Sequence, residues 1–207
     1  MANVSGSAMA AAAEVYLRDE LKTGTLRHQL FPMLTGFGIR DYADTVRTLG
    51  LNYVTEIGRR VLGMTAVSEY PVFPQGKYNA RDYREVKLGS VWFEKLTNQP
   101  FLVGEFERYE EAVGQTSRLR VRVEDLLLGY HQLGAQPQIV LLVYWTLSKT
   151  NPPRADKFIK LLEQGFSLPN TSLVPGVIAS NTKILVYYCL ASGTRDNLIL
   201  NQWIEIK

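Results

Sequence analysis

The sequence predicts an α/β protein in which a central mixed β-sheet is flanked by helices and preceded by a helical N-terminal region. Three observations carry this prediction. Residues 10–22 and 41–61 repeat apolar side chains at helical spacing. Residues 83–94 and 101–109 have the length and composition of strands and are separated by the turn signal Thr97-Asn98-Gln99-Pro100. Residues 138–146, QIVLLVYWT, form an unbroken apolar run, as a strand covered on both faces does.

The elements follow in order. Residues 1–9 are small and polar and read as a frayed tail, and residues 10–22 form a helix with Val15, Leu17 and Leu21, closed by Gly24. Asp41 reads as an N-cap for a longer helix whose face runs Tyr42, Val46, Leu49, Tyr53, Ile57, Val61. Gly50 is a candidate break in that helix, and Gly63 closes the helical N-terminal part, residues 1–64. Residues 65–207 are then the sheet-containing remainder of a single domain.

Residues 65–73 read as an edge strand stopped by Pro71 and Pro74, and residues 75–80 as a loop. In the strand at 83–94, alternation puts Val86, Leu88, Ser90 and Trp92 on one side; it pairs as a hairpin with 101–109. Residues 117–132 begin with strand-like alternation, but Leu119, Val123, Leu126, Leu127 and Tyr130 keep helical spacing and Arg120 can pair with Glu124 one turn on. The apolar run at 138–146 is the candidate central strand. Pro152-Pro153 separates it from a helix at 154–164 with Phe158, Leu161 and Leu162 inward. Two apolar strands, 182–190 and 198–206, are joined by the turn Ser192-Gly193-Thr194.

Composition limits the function. The chain has 207 residues, 46% hydrophobic and 21% charged, the range of ordinary globular proteins rather than of disordered chains. A net charge of +3 permits a polyanionic partner without requiring one, because affinity follows clustered Lys and Arg. The single cysteine, Cys189, lies in an apolar run, so no disulfide forms within the chain and a buried thiol in a reducing, cytoplasmic setting is expected. No signal-peptide pattern and no spanning apolar window is present, so no membrane partner is expected.

Glycine-rich phosphate loops, paired cysteines and Gly-x-Ser-x-Gly elbows are missing, and two histidines, His28 and His131, cannot build a multi-histidine metal site. Carboxylate chemistry remains. Glu105 and Glu107 are two apart on a strand and share a face, where a hard cation such as Mg²⁺, with a further oxygen ligand from the neighbouring strand, can activate water at a phosphodiester. The competing reading is a solvated strand face, although the apolar run Phe101-Leu102-Val103 places Glu105 well inside the sheet, where an unpaired carboxylate is costly. Arg118, Arg120 and Arg122 form a cluster that can contact phosphates, or a solvated face paired with Glu124 and Asp125. Lys149, Arg154, Lys157 and Lys160 can extend that basic surface. Trp92 and Trp145 read as core, and His131 as a surface residue at a helix end.

The order helix, Ser90-Val91-Trp92-Phe93 strand, turn, Glu105-Phe106-Glu107 strand, helix with Arg122-Val-Glu-Asp-Leu-Leu, then QIVLLVYW resembles the PD-(D/E)xK nuclease superfamily over about residues 40–147. That resemblance implies the restriction-endonuclease-like αβββαβ core and a Mg²⁺-dependent nuclease. It makes Glu105 the second metal ligand, Glu107 the occupant of the position where the family more often has Lys, Glu56 an auxiliary acid and metal ligand, and Arg122 a phosphate contact. It also implies nucleic acid, DNA first, as the partner, together with a homodimer or a protein partner. Gly89 stands where the aspartate three residues before Trp92 is expected. Either Glu85, Glu94 or Asp82 replaces that carboxylate, or the fold persists without catalysis as a nucleic-acid-binding or assembly subunit. A purely protein-binding module is the third expectation, favoured by internally paired arginines and an apolar surface.

Overall fold

Small and apolar residues at positions 10, 13, 17 and 21 form one stripe of helix α1 (Gly6–Thr23), and all four are buried against the sheet. Gly24 at φ 69 ends it, and two short helices follow, α2 (Thr25–Leu30) and α3 (Pro32–Thr35), too short for the apolar period to reveal. The computed structural model describes residues 6–42, 44–73, 85–109, 118–147, 155–168, 173–177, 179 and 181–207. The expected loop at 75–80, the start of the strand at 83–94, Asp82, Lys149 and Arg154 lie outside these residues, as do residues 1–5.

Helix α4 (Thr45–Arg60) starts later than expected: Asp44, not Asp41, precedes it, and Tyr42 is exposed ahead of the helix. Its buried face is Val46-Arg47, Gly50-Leu51, Tyr53-Val54 and Ile57-Gly58. Gly50 does not interrupt it. A Cβ there would meet the Phe106 ring at 2.4 Å, and one at Gly58 would meet Trp92 at 2.5 Å, so both glycines let the helix lie close on the sheet.

The strands are β1 (Met64–Val72), β2 (Val86–Glu94), β3 (Pro100–Arg108), β4 (Ile139–Thr146), β5 (Phe166–Ser167), β6 (Leu173–Val174), β7 (Lys183–Thr194) and β8 (Asn197–Glu205), with α5 (Arg118–Gln132) after β3 and α6 (Asp156–Gln164) after β4. One six-stranded mixed sheet has the order β1-β2-β3-β4-β7-β8, and β5 and β6 form a small ribbon. β2 runs antiparallel to both β1 and β3, the strands β3, β4 and β7 are parallel, and β8 returns antiparallel to β7. The chain is thus α/β, with helices on both faces: α1 to α4 cover the cluster that includes Trp92, Phe106 and Trp145, and α5 and α6 cover the cluster of Val103, Leu142 and Tyr144. β4 is buried from Ile139 to Trp145, which explains its unbroken apolar run.

Three local expectations need correction. Val86, Leu88, Ser90 and Trp92 do not share one side: Val86 and Leu88 pack with the α5 cluster, whereas Ser90 bonds Thr55 of α4 and Trp92 packs with the α4 cluster. The strand changes face at Gly89, beside Glu69 of β1, which has φ 51 and falls between the pairs Ser68↔Ser90 and Tyr70↔Leu88. The last hairpin turns at Arg195-Asp196, because β7 continues through Ser192-Gly193-Thr194. His131 is buried rather than at the surface, its Nε2 lying 2.7 Å from the Pro175 carbonyl oxygen. No helix among the described residues is long and apolar enough to cross a membrane.

Candidate functional site

The two acidic residues on β3 owe their setting to a fork in the sheet. Pairing of β2 with β3 runs from Phe93↔Pro100 to Ser90↔Gly104, while β3 stays paired with β4 as far as Arg108↔Trp145. Glu105 to Arg108 therefore border an edge that β2 has left. Glu105 and Glu107 are each 2% exposed, so the solvated-face reading fails.

Arg47, from the first turns of α4, fills the fork. Its Nε and Nη2 donate to Glu105 Oε1 at 3.1 and 2.9 Å, and its Nη1 donates to Glu69 Oε1 at 2.7 Å. The same Nε lies 3.5 Å from Glu107 Oε2, and Arg122 Nε approaches that oxygen at 3.6 Å. Backbone N–H groups complete the setting: Phe106 donates to Glu105 Oε1 at 3.1 Å and Arg108 to Glu107 Oε1 at 2.8 Å. Glu107 Oε2 is buried with two guanidiniums near it and no hydrogen bond.

Burial pushes the Glu105 carboxyl up to about 7, against the lowering pull of Arg47 and Arg122 and with a further push from Glu107. Arg47 moves the opposite way to what burial alone would do. Glu105, Glu69 and Glu107 raise it further above its ordinary value, so the guanidinium is the permanent charge and Glu105 is the group that titrates.

A cleft of about 270 Å³ opens beside the fork, lined by Asp41, Asp44, Val46, Arg47, Glu107, Arg108, Arg118 and Trp145. Arg108 pairs with Asp41 and lies 5.2 Å above the Trp145 ring; Arg118 donates to Asp44 at 2.8 Å. Of the expected arginines, Arg118 and Arg122 are at the site, whereas Arg120 pairs with Glu124 on the exposed side of α5. Lys157 of α6 is placed over the Tyr109 and Phe158 rings.

The other candidate carboxylates are elsewhere. Glu56 pairs with Arg60 at 2.9 Å and Arg59 at 3.8 Å on α4 and takes no part in the fork. Glu94 lies at the far end of β2, accepting from Thr97 at 2.9 Å, and Glu85 is exposed ahead of that strand. Gly89 is the residue beside Glu105: a Cβ built there lies 3.0 Å from Glu105 Oε1, 3.0 Å from the Gly104 carbonyl oxygen and 2.4 Å from Leu51. The position expected to carry aspartate lies beside Glu105 but brings no carboxylate, and a side chain there would have to displace the end of Leu51.

These residues do not fit magnesium as they stand. The ion needs several oxygens free to turn toward it, and the oxygen of Glu105 nearest Gly89 already accepts three N–H donors, two of them from a guanidinium. Among the described residues, no group of three His, Cys, Asp or Glu is placed to hold a metal. Sequence reasoning missed Arg47, Glu69, Asp44 and Arg108. Their one legible signal is a charged residue at position 47, in helical register with Leu51, Val54 and Gly58 on the buried face.

No family model, no curated protein and no solved structure matches the chain.

Proposed function

We propose that this chain is a nucleic-acid-binding protein built on a nuclease-like αβββαβ core that does not cleave its ligand. The observation that carries the reading is Arg47. Its guanidinium is held by Glu105, Glu107 and Glu69, in the place where a metal would bridge carboxylates, while Gly89 supplies none. A fixed cation replaces an exchangeable one: charge balance at the fork is kept and water activation is given up. The succession α4, β1, β2, β3, α5, β4 supports the core, and the arginines around the cleft support a phosphate-bearing partner.

The test is binding of labelled single-stranded and duplex DNA and RNA across a salt series with Mg²⁺ present. The reading expects intact ligand and an affinity that falls linearly on a log–log salt plot. Binding indifferent to salt, or none, would sink it.

A second reading, assembly with a protein partner, is favoured by the internal pairing of Arg108, Arg118 and Arg120 and by Leu62 and Leu96, which are 92% and 93% exposed. They flank turns joined by the Lys95 N–H to Gly63 carbonyl bond. A complex formed through this tip would be disrupted by Leu62→Ser and Leu96→Ser and would keep its strength at high salt.

A further inference from the structure

Among the described residues, the cleft at the fork is lined by three guanidiniums, from Arg47, Arg108 and Arg118, and three carboxylates, from Asp41, Asp44 and Glu107. Arg47 and Glu107 are buried and belong to the lock inside the sheet. The other two pairs differ in kind. Asp41 and Asp44 come from the segment leading into α4 and reach to Arg108 at the end of β3 and Arg118 at the start of α5.

The Asp44 carboxylate does nothing for its own helix, which uses only the backbone carbonyl of this residue, accepting from the Thr48 N–H at 2.9 Å. The side chain of an aspartate immediately before a helix ordinarily accepts an N–H of the first turn, yet that of Asp44 makes no capping bond and gives Oδ1 to Arg118. It does so from the left-handed region, at φ 63. Guanidinium groups take carboxylates and phosphates with the same planar fork of N–H donors, so an aspartate on a cleft arginine occupies the seat of a phosphate.

We propose that Asp41 and Asp44 are internal stand-ins for the phosphates of a nucleic-acid strand. In the free protein they hold Arg108 and Arg118; binding exchanges the two carboxylates for phosphate groups. This rests on the nucleic-acid reading and adds how its affinity is set. The Arg118–Asp44 pair is open to solvent on both sides, with side chains 59% and 48% exposed, so it exchanges at little cost. The Arg108–Asp41 pair is more enclosed, and stacking over Trp145 keeps the guanidinium aimed along the cleft when its partner changes. The charges of the described lining residues therefore balance until a ligand replaces the aspartates, and weak or short polyanions are disfavoured.

The experiment is fluorescence anisotropy with labelled single-stranded and duplex DNA and RNA, comparing wild type, Asp44→Asn, Asp41→Asn/Asp44→Asn and Glu163→Gln. The last makes the same charge change as Asp44→Asn on α6, outside the cleft. Asp44→Asn is expected to tighten binding by about two- to fivefold, the range spanned by exposed ion pairs. The double variant should gain more, Glu163→Gln less, and Arg118→Gln added to Asp44→Asn should remove the gain. Wild type binding as tightly as both aspartate variants overturns the inference and leaves the nucleic-acid reading standing. Absence of binding by wild type and all variants overturns both. Asp44→Asn breaks only an exposed pair, so its melting temperature should match wild type and its result counts even if the double variant unfolds.

Discussion

Replacing Arg47 by Met removes the cation from the fork and leaves Glu105 and Glu107 buried in a hydrophobic space of similar shape. Arg47 is 7% exposed and Glu105 2%, so this breaks a buried pair by deleting one partner, which costs about 3–5 kcal/mol when the remaining charge is uncompensated. That is a large part of the roughly 5–15 kcal/mol by which domains are stable. The cost depends on pH in a definite sense. Glu105 is already pushed up to about 7 by burial, with Arg47 holding it down, so the variant raises it further and the folded protein keeps Glu105 protonated over a wider range. Near pH 5.5 the orphaned carboxyl is neutral and the loss falls to the missing hydrogen bonds, about 1–3 kcal/mol. Near pH 8 the wild type gains from ionising Glu105 beside Arg47 and the variant does not, which adds about 1 kcal/mol to the loss. Urea unfolding of wild type and variant at both pH values, with unchanged m-values, measures the difference. A cost equal at the two pH values, or below about 1 kcal/mol near pH 8, would refute the argument that Arg47 is the counter-charge of a buried carboxylate pair.

Further outcomes come from the same geometry. In wild type the folded pKa of Glu105 lies above the ordinary 4.5, so the folded state binds more protons than the unfolded state between the two values. Its contribution is full below about 4.5 and is lost as pH rises to about 7, on the order of 3 kcal/mol in all. Glu105→Gln should flatten that decline in denaturation curves collected across the range. Gly58→Ala brings a methyl within 2.5 Å of Trp92 and should destabilise by about 1–3 kcal/mol, overriding the ~1 kcal/mol that alanine gains over glycine in a helix; a Tm above wild type would contradict the packing. Gly89→Asp meets Leu51 and Glu105, so alone it should lower Tm without creating a metal site. Combined with Arg47→Gln it supplies the missing carboxylate, and Mn²⁺ should then raise Tm in the double variant only.

Much of the sheet is readable from local pattern. β4 is covered on both faces, and its side chains from Ile139 to Trp145 show it; α6 exposes one face, and Phe158, Leu161 and Leu162 mark the other. The pattern misleads where a strand breaks its own alternation. Alternation along β2 runs straight through Gly89 in the sequence, but Val86 and Leu88 face α5 whereas Ser90 and Trp92 face α4, a change that period-two counting cannot register. The start of α4 is illegible because Asp41 and Asp44 both resemble caps, and each is used by an arginine from another element instead.

At the site, Glu105 and Glu107 are identifiable because two carboxylates cannot be placed within an apolar strand without partners. Their partners are not, since Arg47 lies 58 residues from Glu105 and only the packing of α4 across the fork brings them together. His131 shows the same limit, its bond going to the carbonyl of Pro175 in a segment 44 residues away.

The measurement that bears most directly on the account is incubation of single- and double-stranded DNA and RNA with wild type and Glu105→Ala in Mg²⁺ or Mn²⁺, scored for both binding and cleavage. Wild type is expected to bind and to leave every substrate intact. Cleavage by wild type that disappears in Glu105→Ala would contradict it, because Arg47 would then be yielding its place at Glu105 to a metal ion.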